Sequence, residues 1–374
     1  ERDHVARRLQ AAGYETALVG KWHLKEPPTG FDYWNVLKGQ GRYHDPVLFE
    51  MDLGRPEVHE GHSTDVITDE ALGWLRERDE GRPFCLMLHY KATHEPWNFH
   101  PRYADLYADV ELPEPATLLG PTGPVGTLVP GWPLEILTER QRRGDHGDGP
   151  LEVSSEDPEG VRRATYQKLV KDFLRCVAGI DDNVGRVLDH LDRAGLADST
   201  VVIYTSDPGY FLGEHNYFDK RFMLEESLRM PFVVRYPPEI APGTVLDDIV
   251  LNVDFAELLL DYAGAPIPPQ MQGRSFRANL AGRTPEDWRD AMYYRYYGGE
   301  PRRPAHFGIR TATHKLIHYD GLRDRPADER WELYDLAADP HETRNVFGEA
   351  GQAGAIADLQ ARLARLQRDL GDAP

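Results

Sequence analysis

Cysteine is scarce in this sequence, which has two cysteines among 374 residues. Two thiols cannot build a disulfide scaffold or a cysteine-rich zinc site. Cys85 and Cys176 both fall in segments of apolar periodicity, so we expect them to be buried and unpaired. Long apolar runs are also missing: no stretch approaches the ~20 apolar residues of a membrane span. We therefore expect no membrane-spanning helix.

Basic charge is in deficit. The chain carries 43 Lys and Arg against 62 Asp and Glu, for a formal net charge of −19. This balance argues against a protein that binds nucleic acid through a basic surface, because phosphate contacts need clustered Lys and Arg. The hydrophobic fraction of 40% is sufficient for a sizeable core. The length fits two domains, or one large domain with an appendage.

Short apolar segments alternate with segments of helical periodicity over the first two thirds of the chain. The apolar segments are residues 16–19, 84–90, 201–205 and 232–234, and the helical ones are 64–78 and 166–194. This alternation predicts an α/β fold with a large, mostly parallel sheet flanked by helices. Residues 109–160 are dense in Pro and Gly and predict an irregular surface excursion near a functional site.

The character of the sequence changes after about residue 266. Aromatic and β-branched residues alternate with polar ones in segments 291–297, 306–310 and 314–319, which predicts a small antiparallel sheet. Residues 355–370 have the periodicity of a final helix. We therefore predict an α/β domain over residues 1–265 and a smaller α+β subdomain over residues 266–374.

Candidate functional residues follow the predicted strands. Lys21 and His23 come after the first strand, His94 after the second, and Asp207 and Lys220 after the third. The carboxyl ends of strands form the ligand crevice of an open α/β sheet, and alternation directs Lys21 and His23 to one side. Each position alone is equally compatible with an ordinary loop lysine, a structural histidine or an aspartate that caps a turn.

Taken together, two lysines, two histidines and a carboxylate suit an anionic group held by cations, with imidazoles for proton transfer. The net charge of −19 opposes an anionic substrate. However, distant carboxylates are screened over a Debye length of about 8 Å. A partly buried cation at about 4 Å contributes on the order of 4 kcal/mol. We therefore expect local cations to dominate.

Residues 13–24, Gly-Tyr-Glu-Thr-Ala-Leu-Val-Gly-Lys-Trp-His-Leu, resemble the second signature of the sulfatase family, within the alkaline phosphatase superfamily. The resemblance continues along the chain. It includes segments 39–43, 64–68, 204–231, 314–317 and 332–336, in the family's order. The resemblance implies a large mixed sheet between helices, followed by a small antiparallel sheet with one helix.

The resemblance also implies roles for the candidate residues. Lys21 and Lys220 would hold sulfate oxygens, and His94 would lie near the leaving oxygen and protonate the departing alcohol. His23 would contact the nucleophile, a formylglycine made from Cys or Ser. Asp207 would be a ligand of a divalent cation, usually calcium, which suits a hard cation with oxygen donors.

Two departures from the family pattern stand out. The formylglycine motif, Cys or Ser followed by x-Pro/Ala-x-Arg, and the paired metal-binding Asp lie upstream of the Gly-Lys-Trp-His segment in the family, and neither precedes Gly13 here. We therefore expect an N-terminal segment and its first strand to be missing, formylglycine only in the full-length protein, and no turnover of sulfate esters by this chain alone.

The second departure is Pro208, which stands where the family usually has Asn, Gln or His. Because proline has no side-chain donor, we expect weaker metal binding.

The sequence thus predicts a sulfuric-ester hydrolase acting on a sulfated carbohydrate or a small organic sulfate. One alternative is a phosphoester or phosphonate-ester hydrolase of the same superfamily. Another is a non-catalytic protein that binds sulfated glycan. For all three functions, we expect Lys21, His23, His94, Asp207 and Lys220 to converge on one pocket for a tetrahedral oxyanion.

Overall fold

A computed structural model describes residues 3–51, 55–120, 132–153, 156–298, 303–320 and 330–372. The α-helices are α1 (Val5–Ala11), α2 (Ser63–Glu77), α3 (Leu134–Arg142), α4 (Pro158–Arg193), α5 (Glu225–Leu228), α6 (Phe255–Tyr262), α7 (Arg277–Leu280) and α8 (Ala353–Asp369). The strands are β1 (Glu15–Trp22), β2 (Tyr33–Lys38), β3 (Val47–Glu50), β4 (Pro56–Val58), β5 (Phe84–His89), β6 (Val202–Thr205), β7 (Phe211–Leu212), β8 (Phe218–Asp219), β9 (Phe232–Arg235), β10 (Ala291–Tyr296), β11 (His306–Thr311), β12 (His314–Tyr319) and β13 (Arg330–Asp335).

The central sheet has five strands in the order β4-β3-β2-β1-β5. Strand β1 is parallel to β2 and β5, whereas β3 is antiparallel to both β2 and β4. The prediction of a mostly parallel sheet is therefore wrong, and the sheet is mixed. Residues 39–46, which join β2 to β3, are too few for a parallel pairing, since that needs a crossover of a dozen residues or more.

Strands β6 and β9 also differ from the prediction. They pair with each other in an antiparallel two-stranded sheet, with Ile203 opposite Val234. Their apolar side chains pack with α6 and α7 in a separate cluster that includes Leu258 and Phe276. The apolar character of these segments correctly indicated strands, but both are only half-buried, with Val233 exposed, and apolar character does not specify which strand is the neighbour.

Helices α2 and α4 begin at residues whose side chains cap the first turn. In α2, the His62 side chain accepts a hydrogen bond from the backbone N–H of Thr64 at 3.3 Å. In α4, the Asp157 carboxylate accepts from the Gly160 N–H at 2.9 Å, and Pro158 occupies the first turn. Helix α4 therefore begins eight residues before the predicted start at residue 166, because apolar periodicity does not mark the solvent-facing first turns.

The segment 109–160 is not irregular throughout. Part of it, residues 121–131 and 154–155, lies outside the described residues. The remainder contains α3 and packs on α4: Leu134 and Leu137 are fully buried in one cluster with Leu169 of α4. Proline and glycine bound this helix and do not interrupt it.

The C-terminal prediction is confirmed. Strands β10 to β13 form an antiparallel sheet in chain order, and α8 packs on it through Leu359 and Leu363. Both cysteines are free; Cys176 is buried as expected, whereas Cys85 is only half-buried. Among the described residues, no helix is long and apolar enough to cross a membrane.

Candidate active site

Lys21 stands at the carboxyl end of β1, beside a position that only glycine fits. Gly20 has a φ of +106°, and a Cβ there would lie 2.0 Å from the carbonyl oxygen of His89 on β5. This close approach of β1 and β5 sets the position of Lys21, which is half-buried. Its Nζ donates a hydrogen bond to Gln40 Oε1 at 3.1 Å.

His94 lies on the loop after β5, and the loop backbone fixes its ring. The ring Nδ1 is 2.9 Å from the carbonyl oxygen of Glu95, so Nδ1 carries the proton and donates it. In the neutral ring, Nε2 then remains an acceptor. The loop is held by Tyr43, whose hydroxyl donates to the His94 carbonyl at 2.6 Å, and by fully buried Trp97, whose Nε1 donates to the Thr93 carbonyl at 2.9 Å.

Lys220 follows the short hairpin of β7 and β8. Its Nζ lies 3.3 Å from Asp219 Oδ1 and 5.4 Å from the centroid of the Tyr210 ring. Asp219 also pairs with Arg221 at 2.6 Å and with Arg303 at 3.1 Å. Three cations therefore surround one carboxylate, and the lysine side chain is 17% exposed.

The C-terminal sheet holds the residue that follows Lys220. The hydroxyl of Tyr294 on β10 donates to the Arg221 carbonyl at 2.8 Å, and Nε2 of His306 on β11 lies 3.1 Å from the same oxygen. His306 is fully buried, burial lowers its pKa to about 4, and its Nδ1 lies 2.9 Å from the Pro304 carbonyl oxygen. The small sheet thus contributes directly to the geometry of the site.

Electrostatic coupling shows which candidate residues the fold brings together. Burial lowers the pKa of Lys21, Asp207 opposes this shift, and Lys220 adds to it. Burial also lowers the pKa of His94; its hydrogen bond to Glu95 opposes the shift, and the ammonium groups of Lys21 and Lys220 increase it. Lys21, His94, Asp207 and Lys220 therefore occupy one neighbourhood, although up to 199 positions separate them in the chain.

Lys91 is a further cation that the sequence analysis did not select. It is 2% exposed, and burial together with the nearby charge of Lys21 lowers its pKa to about 8. Its Nζ lies 4.6 Å from the centroid of the Tyr43 ring and donates to the Glu95 carbonyl at 3.4 Å. The sequence could have indicated Lys91, since it directly follows the predicted apolar strand 84–90, much as Lys21 follows the predicted strand 16–19.

His23 does not join this group. Strand β1 ends at Trp22, so the alternation that was expected to direct Lys21 and His23 to one side stops one residue too early. The structure leaves His23 exposed. It makes no hydrogen bond, ion pair or ring contact with any residue in the described part of the chain.

Asp207 does not by itself form a calcium site. It is exposed, and the charged groups coupled to it are Lys21 and His89. In the part of the chain that the structure describes, no three His, Cys, Asp or Glu side chains are grouped so that they could hold a metal ion. The carbonyl of Pro208 accepts a hydrogen bond from Ser206 Oγ at 3.2 Å. These residues do not fit a calcium ion.

Comparisons with known proteins identify the family of this chain. A family model described as "Sulfatase" matches residues 1–265, and one described as "N-sulphoglucosamine sulphohydrolase, C-terminal" matches residues 213–369. The chain belongs to the sulfatase family. The two matches overlap over residues 213–265, the part of this sulfatase chain that carries Lys220.

Individual relatives are also similar over most of this sulfatase chain. An N-acetylglucosamine-6-O-sulfatase of Bacteroides thetaiotaomicron is 39% identical over 97% of the chain, which covers 72% of that protein. An N-acetylglucosamine-6-sulfatase of Bos taurus is 25% identical over 89% of the chain, which spans 63% of its length. A solved structure in complex with its substrate, D-glucosamine-2-N,6-O-disulfate, is 35% identical with a TM-score of 0.89, covering all of this chain and 83% of the other.

Proposed function

We propose that this chain forms the sulfate-ester site of a sulfatase that acts on a 6-O-sulfated glucosamine or N-acetylglucosamine. The observation that carries the proposal is the convergence of two lysines and one histidine from three distant segments. Similarity to a bacterial N-acetylglucosamine-6-O-sulfatase and to a structure that holds a sulfated glucosamine supports the choice of sugar.

Each residue has a chemical role in the proposal. The ammonium groups of Lys21 and Lys220 neutralise the charge of the sulfate oxygens, and such charge-assisted contacts are worth about 1.5–3 kcal/mol each. His94 presents Nε2 to the leaving oxygen, because Nδ1 is engaged with Glu95. A bound anion offsets the cations that lower the pKa of His94, so the ring gains a proton at Nε2 and can donate it to the departing alcohol.

The proposal is tested by calorimetric titration of the chain with D-glucosamine 6-sulfate, with unsulfated glucosamine as the ligand control. We expect Lys21→Met and Lys220→Met each to weaken binding of the sulfated sugar by about tenfold or more, since each removes one charged contact. Lys171→Met removes the same charge from helix α4, where Nζ donates to the Ala108 carbonyl at 3.3 Å, and should leave the affinity unchanged. Equal affinity for the two sugars would contradict the proposal.

The reaction is tested by following release of inorganic sulfate and of phosphonate in parallel assays. Release of sulfate would support the sulfatase reaction, and cleavage of a phosphonate monoester in its place would favour the alternative hydrolase. The fold is compatible with the latter, because a phosphonate monoester hydrolase from Silicibacter pomeroyi has a TM-score of 0.72 at 21% identity. Binding without release of either product would favour the expectation that this chain does not turn over by itself, or a sulfated-glycan-binding protein without catalysis.

A further inference from the structure

Residues 132–147, here named the bridging segment, connect the two loops that carry His94 and Lys220. The segment contains α3 and a turn after it. At its first residue, the carbonyl of Trp132 accepts a hydrogen bond from the Phe218 N–H at 3.1 Å, and the two rings lie 5.9 Å apart. Phe218 precedes Lys220 by two residues. The start of the bridging segment is therefore fixed to the Lys220 loop.

The end of the bridging segment contacts the other loop. The Gly147 N–H donates to the Pro96 carbonyl at 2.5 Å, and Nε2 of His146 lies 3.1 Å from Glu95 Oε2. Glu95 is the residue whose carbonyl oxygen accepts the hydrogen bond from His94 Nδ1. The bridging segment thus touches the neighbours of both catalytic candidates.

One side chain in this segment reaches both loops. Nη1 of the Arg140 guanidinium lies 3.6 Å from Glu95 Oε2. Its Cζ is 4.7 Å from the centroid of the Trp132 ring and 5.9 Å from that of Phe218. The Arg140 side chain is 25% exposed, so the ion pair is partly withdrawn from solvent. A planar guanidinium can pair with a carboxylate and lie over aromatic rings at the same time, which a lysine ammonium does less well.

We propose that Arg140 is a positioning residue that sets the separation of His94 and Lys220 by holding the Glu95 carboxylate against the Trp132–Phe218 pair. This inference rests on the proposed function for the roles of His94 and Lys220, but not for the contacts themselves. A displacement of about 1 Å at a reacting group can reduce a rate by about two orders of magnitude, so a contact of this kind has consequences for turnover.

The ion pair with Arg140 requires the Glu95 carboxyl group to be ionised. Burial raises the pKa of the Glu95 carboxyl, but His146 and Arg140 outweigh burial and hold the pKa below its usual value. The carboxylate is therefore charged at neutral pH. Removal of Arg140 leaves the half-buried carboxylate with His146 as its remaining close partner, so we expect the loop to shift toward solvent.

The test compares Arg140→Met with Arg143→Met in the full chain. Arg143 follows α3, has a side chain that is 60% exposed and pairs with Asp145, so its replacement is a matched loss of one positive charge. We monitor by NMR the His94 Cε1–Hε1 signal and the Phe218 backbone amide. Arg140→Met should shift both signals and lower kcat for sulfate release, or affinity for D-glucosamine 6-sulfate, by about tenfold; Arg143→Met should shift neither. If Arg140→Met does not fold, Arg140→Lys, which keeps the charge but loses the planar contact with the two rings, should still shift both signals from their wild-type positions.

The Glu95→Gln variant and the double variant complete a cycle. We expect Glu95→Gln to shift the same two signals and the double variant to add little to either single change, because both remove one contact. Unmoved His94 and Phe218 signals in Arg140→Met, or equal shifts in Arg143→Met, would overturn the inference. Additive effects of Arg140→Met and Glu95→Gln would also overturn it. If the signals move as expected but no variant or wild-type chain binds the sulfated sugar, the proposed function fails while the positioning contact stands.

Discussion

Gly20 combines an unusual backbone conformation with a crowded position at the end of β1. Its φ of +106° is one that residues with a side chain rarely adopt, and a Cβ there would meet the carbonyl oxygen of His89 at 2.0 Å. That oxygen belongs to the neighbouring strand and cannot move without opening the β1–β5 pairing. The position before Lys21 therefore has no room for a side chain.

We predict that Gly20→Ala lowers the free energy of unfolding by about 2 kcal/mol more than Gly13→Ala does. Gly13 is the matched control, because it has a similar φ of +92° but nothing within 4 Å of an added Cβ. Both variants carry the cost of the left-handed conformation, about 1 kcal/mol, and Gly20→Ala adds the cost of overpacking. Urea denaturation of the two variants measures the difference, and equal losses of stability would show that the strand relaxes freely.

At the same scale, the site could be predicted in part. Lys21, His94, Asp207 and Lys220 were selected because polar residues at strand ends face a ligand crevice, and the structure brings these four together. His23 was selected by extending strand alternation past Trp22, where the strand has ended. Their catalytic roles remain predictions, since the geometry shows proximity and charge but no reaction.

Strand β13 carries a carboxyl group in an unfavourable place. The Glu332 side chain is fully buried; it accepts a hydrogen bond from the Tyr334 hydroxyl at 2.8 Å and lies 3.6 Å from Arg330. Burial raises its pKa to about 7, because these two partners do not compensate for lost solvation. Between about pH 4.5 and 7 the folded state therefore holds more protons here than the unfolded state.

We predict that Glu332→Gln flattens this pH dependence. In the wild type, the contribution of Glu332 to stability decreases as the pH rises from 4.5 to 7, by up to about 3 kcal/mol. The variant has no such proton, so its stability relative to wild type should increase between pH 5 and pH 8. Urea denaturation at both pH values measures this difference, with the exposed Glu349→Gln as the control. A variant with the wild-type pH dependence would contradict the prediction.

At the scale of elements, periodicity predicted the interiors of helices and strands better than their ends or partners. The predicted segments 64–78, 314–319 and 355–370 agree with α2, β12 and α8 within two residues at each end. The strands β3 and β4 were not predicted because they have only four and three residues. Strand β2 was also not predicted, although it has six residues and its Val36 and Leu37 are fully buried. Helix α3 was missed because Pro and Gly surround it.

The two halves of the molecule are joined by a buried charge network. Lys315 of β12 is fully buried, with Nζ 2.6 Å from Glu342 Oε1 and 2.9 Å from Glu225 Oε1. Glu225 begins α5, shortly after Lys220, and Arg310 of β11 also pairs with it at 3.0 Å. Burial raises the pKa of Glu225, but Lys315 and Arg310 more than reverse this and hold it at about 2.

We predict that Lys315→Met lowers the free energy of unfolding by about 3–5 kcal/mol, because it leaves two buried carboxylates without their shared cation. The double variant Lys315→Met/Glu342→Gln should recover part of this loss, since it removes one of the two. Denaturant unfolding of the wild type and both variants measures the effect. A single variant as stable as wild type, or a double variant less stable than the single one, would contradict this role for the network.

The predicted domain boundary after residue 265 stays a prediction. The cluster around Met223 and Leu224 includes Ile317 and Tyr334 of the C-terminal sheet. One continuous hydrophobic core therefore contains residues from both sides of this boundary. The C-terminal sheet contributes contacts to the Lys220 loop, and its removal would expose that core.

The sequence by itself determined the helix faces, the apolar strands, the residues placed at strand ends and the resemblance to sulfatases. These are local properties, because the spacing of apolar residues along a segment indicates which of its sides packs on the core. The tertiary structure alone decided which strands are neighbours, that Lys91 joins the cations around His94, that His23 stays outside, and that Arg140 spans the two loops. These outcomes depend on distances between atoms far apart in the chain, and both Coulomb energy and desolvation are functions of those distances.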